Sequence, residues 1–445
     1  MSRRVAVVGA GWAGLACAVQ AVHAGHTVTV FEAARTPGGR ARRVEADGGL
    51  ALDNGQHILI GAYRATLELM RSVGVDPQQV LLRAPLALRF PDGGGLAIPA
   101  GMKPPMDLLA GIAGARGWSW RDRYSLLHTA LRWRARRFAC APEQTVADLC
   151  AGLRPRVVDE LIAPLCVSAL NVPVERASGA VFLRVLRDAL FSEDDAGPPQ
   201  VVLPPSGGGP GTARPWGPSS FGGADLLLPR TDLGALLPDA AMRWLSARGA
   251  AVHLGHRVQA LQPDGEGWRV DSERFDRVVL AAPAWESARL AHATGMADAA
   301  TWARTAEALA HEGIATVYLR GAPSWPGLPM LALRGGPAQF VFDRGRLGGP
   351  TGLAAFVVSA CGEARDALEA QVIGQARDEL GWTGLAPVQT IVEKRATFAC
   401  TPGLQRPGAR VAPGLLACGD HIEGPYPATL EGAVRSALEA AAQLD

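Results

Sequence analysis

Three glycines near the start of the chain have the spacing of a nucleotide-binding turn. Gly9, Gly11 and Gly14 follow the apolar run 5–8, which is typical of a strand buried on both faces. Gly9 permits a tight turn, Gly11 lets the backbone approach a pyrophosphate, and Gly14 lets the next helix pack closely on the strand. The N-terminus of that helix offers free N–H groups and the positive end of its dipole to phosphate oxygens.

A carboxylate stands where the ribose of a dinucleotide needs an acceptor. Residues 15–24 are predicted as a helix that Gly25 ends, residues 27–31 as a second strand, and Glu32 lies at the end of that strand. A carboxylate at this position accepts hydrogen bonds from ribose hydroxyls. Because strand, helix, second strand and acid occur together, they favour a dinucleotide site over a glycine-rich turn in another kind of α/β protein.

Two adjacent glycines and an arginine favour FAD over a nicotinamide dinucleotide. Gly38, Gly39 and Arg40 come shortly after Glu32. The glycines allow close approach of the backbone, and Arg40 adds a permanent positive charge for a phosphate. A plain dehydrogenase needs no such second element. The alternative is an ordinary surface turn with a solvated arginine.

The C-terminal part of the chain carries a second set of candidate flavin contacts. The run 414–418 is predicted as a buried strand that ends in Gly419 and Asp420, and a helix is predicted to start near Thr429. Asp420 is placed to accept a hydrogen bond from a ribityl hydroxyl. The N-terminus of the helix favours negative charge on a reduced flavin ring. The alternative is a capping helix without a ligand.

These motifs resemble the FAD-binding motifs of the amine oxidase and phytoene desaturase superfamily. Within it, the segments 52–64, 164–173 and 393–398 are similar to the hydroxysqualene dehydroxylases, also called squalene-associated FAD-dependent desaturases. The resemblance covers nearly the whole chain with the order of motifs kept. One departure is His421, which stands where the family pattern leads us to expect an aromatic residue.

The resemblance implies an α/β fold of the amine oxidase type, with a Rossmann-type FAD-binding domain and a discontinuous second α+β substrate domain. The FAD-binding domain is predicted from residues 1–75, 225–290 and 390–445. The substrate-binding domain is predicted from residues 76–224 and 291–389.

The predicted FAD-binding residues combine the motifs above with positions that the resemblance adds, such as Val258 facing the adenine and Ala282 near the ADP moiety. They are Gly9, Gly11, Trp12, Ala13, Gly14, Glu32, Ala33, Gly38, Gly39, Arg40, Asn54, Gly55, Gln56, His57, Val258, Ala282, Gly419, Asp420, Pro427, Ala428, Thr429 and Leu430. No metal site is predicted.

The resemblance also implies an activity. It is the FAD-dependent reduction of hydroxysqualene, an apolar C30 allylic alcohol, to squalene in squalene and hopanoid biosynthesis. Hydroxide leaves poorly, so a proton donor is needed. The candidates are Asp53, His57, Tyr426 and Glu423. Asp53 could instead make a structural hydrogen bond, and His57 could be a core histidine. Tyr426 could instead pack on the flavin ring.

Two other functions remain open from the sequence. One is a carotenoid-type desaturase or an amine oxidase, although four tyrosines in the whole chain give little support to a paired-tyrosine amine cage. The other is a non-catalytic prenyl-lipid-binding protein on the same fold. Such a protein needs no flavin contacts, so the glycines and Arg40 at 38–40 and the Gly419–Asp420 pair argue against it.

Composition narrows the partners and the compartment. A net charge of +2 gives no support to nucleic-acid binding, and seven scattered cysteines without CxxC spacing predict neither a disulfide framework nor a zinc site. We expect a cytoplasmic protein, or one peripheral on the inner face of the membrane. Residues 118–138 are rich in aromatic and basic residues and are predicted as a helix that faces a membrane, the alternative being an ordinary helix with a solvated basic face. Residues 204–223 are rich in Pro, Gly and Ser and are predicted as a mobile loop or lid.

Overall fold

The computed structural model describes residues 2–99, 102, 106–190, 222–362 and 365–445. The strands are β1 Arg4–Val8, β2 Thr27–Glu32, β3 Arg43–Ala46, β4 Leu50–Asp53, β5 Leu59–Ile60, β6 Leu81–Ala84, β7 Ala87–Arg89, β8 Gly95–Ala97, β9 Leu226–Pro229, β10 Ala251–Leu254, β11 Leu261–Asp264, β12 Gly267–Val270, β13 Glu273–Phe275, β14 Arg277–Leu280, β15 His311–Arg320, β16 Met330–Ala332, β17 Phe340–Asp343, β18 Leu353–Ser359, β19 Ala386–Phe398, β20 Arg410–Ala412 and β21 Leu415–Ala417.

The helices are α1 Trp12–His23, α2 Arg64–Ser72, α3 Pro77–Val80, α4 Met106–Ala113, α5 Trp120–Ala135, α6 Val146–Leu149, α7 Pro155–Val157, α8 Ala163–Leu170, α9 Gly179–Leu190, α10 Leu233–Leu236, α11 Pro238–Ser246, α12 Ala284–Ala293, α13 Ala297–Glu307, α14 Arg365–Leu380 and α15 Leu430–Ala441. A π-helical turn, Val158–Ile162, joins α7 to α8, and short 3-10 turns lie at Asp47–Gly49 and Gly345–Leu347.

A six-stranded sheet in the order β10-β2-β1-β14-β21-β20 forms the nucleotide-binding half of the fold. Its strands are parallel except for β20, which pairs antiparallel with β21. Successive side chains of β1 point to opposite faces. Val5 and Val7 join the cluster formed with α1, α11 and α15, whereas Ala6 and Val8 join the cluster formed with β11–β13. Burial on both faces explains why residues 5–8 of β1 are all apolar, while Arg4 at its exposed start is not.

The second large sheet is antiparallel and has the order β16-β17-β18-β15-β19. Helix α14 covers one of its faces, where Leu368, Val372 and Ala376 pack with Phe356. The opposite face contributes to the largest core cluster, through residues such as Tyr318. Strands of the six-stranded sheet come from all three chain segments predicted for the FAD-binding domain, but the domain boundaries themselves stay a prediction.

Two predicted surface features have different outcomes. The predicted lid at 204–223 lies outside the described residues except for Gly222 and Gly223. The predicted helix at 118–138 is present as α5, and Ser119 and Asp122 form a capping box at its start. Within the described ranges, no helix combines the length and the apolar character needed to cross a bilayer.

Candidate active site

A cavity of about 630 Å³ lies where the carboxyl ends of the parallel strands approach β19 and the end of α8. Val8 and Gly9 from the end of β1, Glu32 from β2 and Gly419 after β21 line one wall, and Glu393 of β19 lines another. Open parallel sheets bind ligands at this edge. The volume lies within the usual range for cofactor and ligand pockets, which is about 300–1,000 Å³.

The glycine turn has the geometry that its spacing predicts. Gly9 has φ +119°, and a Cβ there would lie 2.6 Å from the Ala281 carbonyl oxygen. A Cβ at Gly14 would lie 1.8 Å from the Gly9 oxygen, so Gly14 is needed for helix–strand packing. Helix α1 begins at Trp12, earlier than predicted, because Gly11 serves as its N-cap; no side chain caps this end.

Gly11 differs from Gly9 and Gly14 because no neighbouring atom in the described part of the chain requires a glycine there. Its backbone is extended, with φ −70° and ψ 177°, and a Cβ would meet only the Gly39 Cα at 3.8 Å. Gly11 pairs with Gly38 in an isolated bridge, and both line the cavity. The backbone therefore forms a cradle whose remaining space suits a ligand.

Backbone N–H groups hold the Glu32 carboxylate on the cavity wall. Oε2 accepts from the Ala10 N–H and Oε1 from the Ala34 N–H, each at 2.7 Å. Each carboxylate oxygen retains further acceptor capacity. The arrangement fixes the acid beside the glycine turn, where the sequence predicts a ribose.

Arg40 and Asp420, from opposite ends of the chain, form an ion pair in the cavity wall. Burial raises the pKa of Asp420, but the charge of Arg40 and the neighbouring His421 outweigh it and hold the pKa well below its usual range. Arg40 Nη1 also donates to the Ala396 oxygen at 2.7 Å. The sequence predicts that Arg40 binds a phosphate. In the structure, its guanidinium binds Asp420 and the Ala396 oxygen of the protein itself.

Asp53 is placed differently from the prediction. Its side chain is almost fully buried, and the described cavity lining does not include it. Oδ2 pairs with Arg344 Nη2 at 3.2 Å, and Oδ1 accepts from the Leu233 N–H at 2.8 Å. Burial raises its pKa to about 6, although Arg344 and the Leu233 N–H lower it. Because interior partners occupy its carboxylate, the contacts of Asp53 favour a positioning role over the predicted role as proton donor.

Tyr426 and Glu423 also lie off the described cavity wall. The Tyr426 hydroxyl donates to Asp188 Oδ2 at 2.9 Å, and the guanidinium of Arg435 lies over its ring. Burial raises the pKa of Tyr426 to about 12, and Asp188 adds to the rise. Because neither residue lies on the described cavity wall, the structure gives no support to either as proton donor, and their catalytic role stays a prediction.

His57 lines the cavity, but its charge state is unsuitable for an acid. Nδ1 lies 2.9 Å from the Gly55 oxygen, which assigns the ring proton to Nδ1. Burial lowers the pKa of His57, and Arg40 lowers it further against the opposing Gly55 bond. The imidazole is therefore neutral near pH 7.

Several polar residues of the cavity wall were not predicted from the sequence. Glu393 Oε2 accepts from Asn54 Nδ2 at 3.2 Å. Asn171, in the left-handed conformation that ends α8, donates from Nδ2 to Thr397 Oγ1 at 3.0 Å. Ser168 completes this polar group on the cavity wall. All four lie in the segments 164–173 and 393–398, so polar residues within the resembling segments were the available signal.

Most predicted FAD-binding residues meet around the cavity. Those in its lining are Gly9, Gly11, Trp12, Ala13, Glu32, Ala33, Gly38, Gly39, Arg40, Asn54, Gly55, Gln56, His57, Val258, Ala282, Gly419, Asp420, Ala428, Thr429 and Leu430. Gly14 and Pro427 are outside the described lining. The cavity thus gathers residues from both ends of the chain and from its middle.

Comparison with known proteins defines the class. The family model for flavin-containing amine oxidoreductases matches residues 12–445, and the chain belongs to this family. It is an FAD-dependent oxidoreductase with the α/β fold of the amine oxidase type, which confirms the predicted cofactor, enzyme class and fold class.

Individual relatives are more specific. The chain is 31% identical to a hydroxysqualene dehydroxylase of Rhodopseudomonas palustris, over 99% of this chain and 98% of the relative. A hydroxyneurosporene desaturase of Rhodobacter capsulatus is 37% identical, but over 29% of this chain and 27% of that protein. Among solved structures, an oxidoreductase from Methanosarcina mazei has a TM-score of 0.69 and 16% identity, and covers 99% of this chain and 100% of its own. The resemblance noted from the sequence is confirmed.

Proposed function

We propose that this protein reduces hydroxysqualene to squalene, within squalene and hopanoid biosynthesis. The observation that carries the proposal is end-to-end similarity to a hydroxysqualene dehydroxylase, whereas similarity to the carotenoid-type desaturase is confined to less than a third of the chain. In this reaction the hydroxyl group of the allylic carbon takes a proton and leaves as water. The carbon gains a hydride from reduced FAD, which is thereby oxidised to FAD.

The described residues that line the cavity are suited to bind FAD. Gly11 and Gly38 leave a backbone cradle beside the uncapped N-terminus of α1, which suits a pyrophosphate. The fixed carboxylate of Glu32 suits a ribose. Thr429 caps α15 through a bond from the Gly432 N–H at 3.0 Å, so the N-terminus of a second helix meets the same cavity. When bound, the reduced flavin supplies the hydride.

Glu393 is the group best placed to protonate the leaving hydroxyl. Four carboxylates line the cavity in the described chain, and three are committed elsewhere. Glu32 accepts two backbone N–H groups, Asp420 pairs with Arg40, and Glu286 binds two arginines. Among the described residues, Glu393 accepts a side-chain hydrogen bond from the Asn54 amide and interacts with the charge of Arg40, and its carboxyl group keeps further hydrogen-bonding capacity. We therefore assign the general-acid role to Glu393.

The wall around Glu393 supports an apolar substrate with one hydroxyl. Ile314 pairs with Glu393 across β15 and β19, and Ala169 lies on the same wall. Asn171 and Thr397 add a small polar group. Aliphatic surface accommodates the isoprenoid chain, while the polar group orients the hydroxyl. The tyrosines give no amine cage, because Tyr63 alone among the four lines the described cavity.

The test is anaerobic single turnover. The FAD-loaded protein is reduced with dithionite, freed of excess reductant and mixed with hydroxysqualene. Squalene formed in proportion to reoxidised flavin supports the proposal. Flavin that stays reduced until oxygen is admitted contradicts it. In parallel, the oxidised protein is mixed with phytoene or with an amine, and bleaching of its flavin would support the oxidative alternatives instead.

A further inference from the structure

Exposed apolar side chains are concentrated in one part of the described surface. The described surface exposes seven large apolar residues, and six of them lie between residues 102 and 131, the exception being Leu254. They include Met106 and Leu109 of α4, and Trp120, Tyr124 and Leu131 of α5. Soluble surfaces scatter such residues singly, whereas a contiguous group marks an interaction site.

The exposed residues of α5 form a stripe. With about 3.6 residues per turn, positions 120, 124 and 131 fall on one face. Trp120 is 69% exposed, Tyr124 62% and Leu131 55%. The stripe is not a poorly packed inner face, because Trp133 and Leu126 on the other side are buried in the core. Helix α5 therefore has two apolar faces, one packed and one uncovered.

Arginines border the stripe. Arg121 and Arg132 lie along one edge, and Arg121 stacks near the Trp120 ring at 5.7 Å. Residues 106–138 contain seven arginines and two acids, Asp107 and Asp122, and both acids are buried. An apolar stripe with aromatic residues and flanking cations has the chemistry of a helix lying in the headgroup region of an anionic bilayer.

The helix is also connected to the cavity. The Arg154 N–H, just before α7, donates to Ser125 of α5 at 3.3 Å. Trp118, just before α5, donates from its indole to Glu160 at 2.7 Å. The helical run from α7 to α8 then ends at Ala169 and Asn171 on the cavity wall. One continuous helical segment thus links the uncovered face to the site.

We infer that the α4–α5 surface, meaning residues 106–113 and 120–135, docks on an anionic lipid bilayer without spanning it. Charge complementarity selects this occupant over a second copy of the chain, since two such surfaces would oppose arginine to arginine. The inference is independent of the proposed reaction, because binding is measured without substrate.

The test is cosedimentation of the FAD-loaded protein with vesicles. Wild-type protein should bind vesicles containing phosphatidylglycerol, bind phosphatidylcholine vesicles less, and be released by salt. The Trp120→Gln/Leu131→Gln double variant should lower the partition coefficient about tenfold or more. Leu254→Gln is the matched control, since it removes an exposed apolar residue outside the surface and should bind as wild type.

Two further measurements make the result decisive. Flavin content and melting temperature of the double variant should match wild type, since both side chains are exposed. Arg121→Gln should lower binding to anionic vesicles about fivefold and leave binding to neutral ones unchanged. The inference would be overturned if wild type did not sediment with vesicles, or if the double variant bound them as well as wild type. It would also be overturned if wild type bound no vesicles but formed a dimer that the double substitution disrupted.

Discussion

Arg344 and Asp53 form an ion pair in the protein interior, with 3.2 Å between Arg344 Nη2 and Asp53 Oδ2. Arg344 Nη1 also donates to Gln56 Oε1 at 3.0 Å, and Gln56 lines the cavity. Arg344 directly follows β17 of the antiparallel sheet. The position of the cavity loop 54–57 thus depends on a residue of the other sheet.

Removing Arg344 should destabilise the protein. Arg344→Met leaves the Asp53 carboxylate buried without a countercharge, which costs roughly 3–5 kcal/mol. The free energy of unfolding from urea denaturation near neutral pH measures this loss. Adding Asp53→Asn to the same chain should restore part of the stability because it removes the unpaired charge. A single variant as stable as wild type would show that the pair is not formed.

Asp53 should make stability depend on pH in a defined direction. Its folded pKa of about 6 exceeds the unfolded value, so the folded state binds the proton more tightly. The stability contributed by Asp53 is present below about pH 4 and is lost as the pH rises through about 6, by up to roughly 3 kcal/mol. The unfolding free energy of wild type minus that of Asp53→Asn should therefore become smaller, or more negative, between about pH 4 and pH 6. A signed difference that increases with pH would contradict the assignment.

Gly11→Val and Gly14→Val should fail in different ways. A Cβ at Gly11 has room within the protein, so this variant should fold with the far-UV circular dichroism of wild type but without flavin absorbance. A Cβ at Gly14 collides with the Gly9 oxygen, so that variant should not fold. Normal flavin content in Gly11→Val would contradict the proposed place of the pyrophosphate.

Glu393→Gln should abolish most dehydroxylation while retaining FAD. A general acid contributes typically about 10²–10⁴-fold, so the single-turnover rate should fall by that order. Glu393→Asp should recover part of the rate. Tyr426→Phe serves as the control, because its hydroxyl bonds to Asp188 away from the cavity lining, and it should keep nearly full activity. Loss of activity in Tyr426→Phe with retention in Glu393→Gln would reverse the two assignments.

Contiguous backbone features could be predicted from the sequence, and distant side-chain partners could not. The Gly9–Gly14 turn and Glu32 are close along the chain, and glycine conformation and strand burial dictate their geometry. The role of Asp53 depends on Arg344, which is almost 300 residues away, and that of Tyr426 on Asp188. Nothing local distinguishes such a buried carboxylate from a catalytic one.

Residues of the Gly9–Gly14 turn and the Gly419–Asp420 pair line the same cavity but are synthesised at widely separated times. β1 and β2 are synthesised first of these elements, and their sheet lacks β21, and the cavity lacks the start of α15, until the ribosome has translated about 400 further residues. A growing polypeptide therefore has no complete place for the flavin. We expect stable flavin binding only after α15 has been translated, when these two distant segments can meet around the cofactor.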